Sequence, residues 1–86
     1  MIDVKKYLEE YYPDDEDLII YDGLDKAFIG VGYTFHKSYT CYDKQKIINI
    51  LMDRDCMTEE EAEEFFEFNI SGLYAGEKTP VILESV

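Results

Sequence analysis

The sequence predicts an α+β fold, a small antiparallel sheet of three to four strands packed by an N-terminal helix and a helical hairpin. Helical spacing of apolar residues marks the start of the chain and the stretch after Asp43, whereas period-two alternation marks the stretch between Ala27 and Tyr42. Size supplies the third observation. Eighty-six residues make room for one compact domain, residues 1–86, and no repeat, linker or low-complexity tract divides it.

The first helix is expected from Asp3, which can cap it, with Val4, Tyr7, Leu8 and Tyr11 at helical spacing. Pro13 closes it by pushing the preceding residue out of helical geometry. Asp14, Asp15, Glu16 and Asp17 follow as four adjacent like charges, which predicts a solvated acidic loop. Leu18 to Tyr21 reads as a short strand ending at the turn signal Asp22-Gly23. Ala27 to Phe35 reads as the next strand. From Ile29 its odd positions are apolar, while Gly30, Gly32 and Thr34 form a face of small residues that something could approach closely. After a turn near His36-Lys37-Ser38, Tyr39 to Tyr42 makes another strand.

The helical hairpin comes next. Asp43 can cap a helix carrying Ile47, Ile48, Ile50 and Leu51, ending around Asp53 to Cys56. Thr58-Glu59-Glu60-Glu61 has the form of a capping box, with Met57 and Ala62 at the staple positions. Ala62, Phe65, Phe66 and Asn69 are expected on one face with Phe68 flanking it, and Gly72 is the expected stop. Asn69 could turn inward to bond the next segment, and Glu77 and Thr79 could fix the turn before Pro80. Pro80 to Leu83 then looks like a terminal strand at a sheet edge.

Acids outnumber bases by 20 to 8, for a formal net charge of -12. This argues against direct nucleic-acid binding, because a phosphate backbone calls for clustered Lys and Arg. The charge is uneven. Residues 1–20 carry seven acids against Lys5 and Lys6, and residues 53–67 carry eight against Arg54, whereas residues 26–46 hold four lysines and only Asp43. Solvated helix faces account for part of this pattern. Six glutamates within residues 59–67 exceed what solubility needs. Pairs such as Glu60 and Glu64 put like charges at i,i+4, at a cost of about 0.2–0.5 kcal/mol each.

Catalytic and metal chemistry find little footing. His36 is the lone histidine, expected in a turn near Ser38, which has no nucleophile motif. Asp53, Asp55, Glu61 and Glu64 imitate a calcium loop, yet Met57 and Thr58 occupy positions that loop reserves for a ligand and a glycine. Zinc ligands at the usual spacing are missing. Gly30-Val31-Gly32 is only a fragment of a nucleotide-binding pattern. No cofactor is expected. Cys41 and Cys56 are too few for a disulfide scaffold and read as reduced, partly buried apolar side chains. With no apolar run suited to a signal peptide or a membrane span, a cytoplasmic protein without membrane contact is the expectation.

Several stretches together resemble a small family of mostly uncharacterised acidic proteins encoded by phages and bacteria. They are Tyr21-Asp22-Gly23, Ile29-Gly30-Val31-Gly32, Tyr42-Asp43, the run from Met57 to Asn69, then Gly72, Tyr74, Gly76-Glu77 and Thr79-Pro80. The resemblance covers residues 18–84 and implies context only: a small intracellular protein of mobile-element origin, in a setting where acidic proteins inhibit host enzymes or defence complexes. No functional residue carries over from it.

The resulting expectation is a non-catalytic interaction module for a basic, nucleic-acid-binding or host-defence protein, with carboxylates standing where that partner would hold phosphates. Glu59, Glu60, Glu63, Glu64 and Glu67 form the expected binding face, Asp14, Asp15, Glu16 and Asp17 a second patch, and Tyr11, Tyr12 and Tyr74 the aromatic anchors. Two alternatives stand beside it. One is a small enzyme or small-molecule binder built on His36 and Cys41. The other is a homo-oligomer, in the simplest case a homodimer, paired through the terminal strand.

Overall fold

The computed structural model describes residues 3–15, 17–35, 37–71, 76 and 78–85. The chain runs α1 (Val4–Tyr11), a 3-10 turn (Asp25–Ala27), β1 (Phe28–Tyr33), β2 (Ser38–Asp43), α2 (Lys44–Arg54), α3 (Glu59–Phe66), a π-helical turn (Glu67–Ser71) and β3 (Val81–Leu83). All three helix starts are the ones the sequence signals. Asp3 accepts from the Lys6 N–H, Asp43 from the Lys46 N–H, and Thr58 and Glu61 close a full capping box.

The sheet is mixed, not antiparallel throughout. β1 pairs with β2 antiparallel, β2 pairs with β3 parallel, and the order is β1-β2-β3. Connection length explains the difference. α2 and α3 separate β2 from β3, and a crossover that long returns the chain to run alongside the strand it left.

Leu18 to Tyr21 is not a strand. Both edges of β2 are already taken, so the segment instead crosses the face formed by Thr40 and Tyr42, which alternate onto the same side of β2. The Thr40 hydroxyl donates to the Ile19 carbonyl at 2.6 Å, and the Tyr42 hydroxyl accepts from the Tyr21 N–H at 3.0 Å. Side chains thus do here what a backbone ladder does elsewhere.

β1 also departs from the simple alternation. A bulge falls between Phe28 and Gly30, so Phe28 before it and Val31 after it both turn to the core, while Ile29 is left exposed. Gly30, at the bulge, has φ +149°, a conformation that L side chains rarely adopt. Gly32 matters for space: a Cβ built there would lie 2.9 Å from the Cys41 Sγ.

One core cluster draws on every helix. Val4 and Leu8 come from α1, Ile47, Ile48 and Leu51 from α2, and Ala62 and Phe66 from α3, closed by Ile70, Phe28 and Tyr42. The rings of Tyr7, Phe28, Tyr42 and Tyr21 form a chain of tilted and edge-on contacts at 5.1–5.7 Å. Thr79 fixes the turn before Pro80, as the sequence suggested, by bonding to the Gly76 carbonyl through both its N–H and its hydroxyl.

Candidate acidic interface

The helix α3 and the π-helical turn that continues it sort their residues into stripes. At about 3.6 residues per turn, Ala62, Phe66 and Ile70 fall on the inward stripe, and all three are buried. Phe65 and Asn69, expected on that face, lie beside it and are exposed. The spacing i, i+4, i+8 would have selected Ile70 over Asn69. The Asn69 carboxamide donates back to the Phe65 carbonyl at 3.3 Å within its own helix, and not to the next segment.

The glutamates are divided by their neighbours. Lys44, at the start of α2, lies 3.7 Å from Glu63 and 3.3 Å from Glu84, with its ammonium 5.5 Å from the Phe66 ring centre. Hydrogen bonding to Glu84, with the fields of Glu63, Glu84 and Glu67, raises the Lys44 pKa against a smaller desolvation effect. Glu63 is therefore engaged within the fold, and Glu67 lies on the same side. Glu61 closes the capping box through the Thr58 N–H. Glu59, Glu60 and Glu64 are exposed and make no ion pair among the described residues. Four residues after Glu64, in the π-helical turn, Phe68 is 82% exposed.

The first acidic block is less solvated than its four charges suggest. Lys78, itself nearly buried, lies 3.4 Å from Asp15 and 3.6 Å from Asp17, and its ammonium stands over the Tyr39 ring. Asp17 is held below its ordinary pKa, first by hydrogen bonding with the Asp15 side chain, with its own backbone and Lys78 contributing further. Asp14 remains exposed. Glu16 lies outside the described residues, as do Tyr74, His36, Gly72 and Glu77.

Of the aromatic anchors, Tyr11 is 62% exposed and stacks on Tyr7 at 4.9 Å. Tyr12 is half-buried, and its hydroxyl is hydrogen-bonded to that of Tyr33 at 3.0 Å, which raises the Tyr12 pKa. The structure thus places Tyr11 and Tyr12 together at the end of α1. Phe68 and Phe65 are the aromatics adjoining the glutamate face.

Cys41 is buried, and burial pushes its thiol pKa up. Cys56 is exposed, contrary to the expectation of two partly buried thiols, and has φ 55° just after α2. Two depressions flank Arg54. The wider, about 600 Å³, is lined by Asp22, Asp25, Asp53, Lys26, Lys46 and their neighbours. The narrower, about 240 Å³, lies between the Tyr21–Leu24 turn and α3, with Leu24, Leu51, Phe65 and Ile70 as its apolar lining. Arg54 divides them, donating to the Gly23 carbonyl at 2.8 Å while holding both oxygens of Asp55 at 3.1 Å. No group of His, Cys, Asp and Glu among the described residues could hold a metal ion. No helix among them is long and apolar enough to cross a membrane.

No protein-family model, curated protein or solved structure matches the chain.

Proposed function

We propose that this protein is a non-catalytic interaction module that binds a basic partner through the outer stripe of α3. In the fuller form of the proposal, it is a cytoplasmic inhibitor or regulator of mobile-element origin, and its carboxylates occupy the places that a nucleic-acid-binding or defence protein reserves for phosphates. One observation carries this reading: Glu60 and Glu64 are exposed and make no ion pair among the described residues, and Phe68, four residues after Glu64, is exposed as well. Carboxylates already matched inside a fold add little to recognition, whereas unmatched ones steer a cationic partner and set its orientation. An aromatic side chain among them supplies the contact area in which binding energy concentrates. The alternative built on His36 and Cys41 gains nothing from Cys41, because burial favours the protonated thiol and a nucleophile needs the thiolate.

The test is capture from a bacterial lysate with the tagged wild-type protein and with a Glu60→Lys/Glu64→Lys variant, at low and at high salt. A basic protein retained by the wild type at low salt, released at high salt and not retained by the variant is the expected result. Identical retention by the two proteins would overturn the proposal.

A further inference from the structure

The narrower depression beside α3 is a second feature of the same surface. Its apolar lining comes from Leu24, Leu51, Phe65 and Ile70, so it is built by three separate parts of the chain and does not belong to the helix alone. At about 240 Å³ it falls below the roughly 300 Å³ at which small-molecule clefts begin, but it can receive one apolar side chain. In α3 Glu61 lies one turn before Phe65, and Glu60 and Glu64 fall on the exposed side of the same helix. Arg54 also borders the recess, but Asp55 already holds its guanidinium in two bonds and Asp22 stands on the same wall.

We infer that this recess seats a single leucine- or phenylalanine-sized side chain from a segment of a basic protein, with that segment's flanking Lys or Arg residues meeting Glu60 and Glu64. The choice of occupant follows from charge complementarity. Asp22 lines the recess, and a segment that continues from it across α3 meets Glu60 and Glu64, which make no ion pair among the described residues. An acidic segment would meet like charge there, in a protein of net charge -12. The arrangement is a buried apolar anchor within a charged rim, the usual anatomy of a hot spot. This inference rests on the acidic-face proposal and adds to it a contact that charge alone does not require.

The probes are two short synthetic peptides rich in Lys and Arg, one with a single central leucine and its twin with serine at that position. Amide NMR follows each titration. The leucine peptide is expected to bind about tenfold more tightly or better, since burying a leucine side chain is worth at least that factor. The shift changes should centre on Leu24, Phe65 and Ile70. Asn69 is exposed and borders the recess, so Asn69→Trp can fill it without disturbing the core. That variant should bind both peptides as weakly as the wild type binds the serine twin, with an unchanged circular dichroism spectrum.

Equal binding of the two peptides, both weakened by salt, would overturn the recess and leave the acidic-face proposal standing. Absence of binding by either peptide at low salt would overturn both. Shifts at Leu24, Phe65 and Ile70 that change on simple dilution would identify a second copy of this chain as the occupant, and would equally overturn the inference.

Discussion

Replacing Thr40 by valine tests whether side chains hold the 18–21 segment to the sheet. Thr40 is fully buried, and its hydroxyl makes the 2.6 Å bond to the Ile19 carbonyl. Valine keeps the shape and the strand preference while removing the donor. A carbonyl left without its partner costs about 1–3 kcal/mol when buried. Two effects reduce that figure. Ile19 is only half-buried, so water recovers part of the loss, and the new methyl group gains about 0.8 kcal/mol from burial. The expected net loss is about 1 kcal/mol, which for a domain of this size lowers the melting temperature by about 4–8 °C. Tyr42→Phe, which removes the acceptor for the Tyr21 N–H, should cost about the same. Because both bonds hold one segment, the second loss should be smaller once the first has released it, and the double variant should fall short of additivity by about 0.5 kcal/mol. Urea unfolding of the four proteins measures this cycle. Wild-type stability in Thr40→Val, or strict additivity in the double variant, would refute the idea that these two side chains act together as the segment's attachment.

Three further outcomes follow from the geometry. Gly32→Ala should lose about 1–3 kcal/mol by thermal unfolding, because its Cβ meets the buried Cys41 Sγ at 2.9 Å, and adding Cys41→Ala should restore most of the loss. Thr58→Ala removes one half of the capping box and should destabilise the protein by about 1 kcal/mol in urea; a loss of helical circular dichroism before global unfolding would locate the effect in α3. The Arg54 hydrogen bonds hold Asp55 below its ordinary pKa, so its contribution to stability is present at neutral pH and is lost as pH falls through the lowered value; in Arg54→Gln, NMR titration should show Asp55 taking up its proton at higher pH.

Local signals and tertiary ones were not equally legible in the sequence. Asp3, Asp43 and Thr58 announced the three helices because capping is a matter of neighbouring residues. The 18–21 segment misled because an apolar run satisfies a strand and a sheet-covering strap alike, and only the occupancy of both edges of β2 decides between them. The bulge at Gly30 shifts the phase of β1, which puts Ile29 out and Phe28 in, and with a second glycine at Gly32 the sequence does not mark which position bulges. In the candidate site the glutamate run was plain, but its division was not. Lys44 and Glu63 are 19 positions apart in sequence, and Lys78 lies 63 positions from Asp15, so no local reading could tell which acids the fold had already matched. Phe65 is expected on the inward face by its spacing from Ala62 and Phe66, with Phe68 flanking that face; the fold leaves both exposed.

The lysines of the middle and end of the chain also show what the fold leaves unrelieved. Lys44 offsets the Glu63 side of α3 and Lys78 offsets the Asp15–Asp17 loop, yet among the described residues no cation pairs with Glu60 or Glu64, one turn apart. Such a pair costs about 0.2–0.5 kcal/mol, and a Glu-to-Lys pair in the same spacing and direction returns a similar amount. Glu64→Lys should therefore stabilise the free protein by about 0.5–1 kcal/mol, helped further by a cation toward the helix C-terminus. The same change removes a carboxylate from the proposed contact, so it should weaken binding of the basic leucine peptide while raising the urea midpoint. A residue that lowers stability and raises affinity is the signature of a surface kept for a partner. If Glu64→Lys instead left affinity unchanged while stabilising the fold, the glutamates of α3 would be an ordinary solvated face, and the partner would have to be sought at the tyrosines of α1.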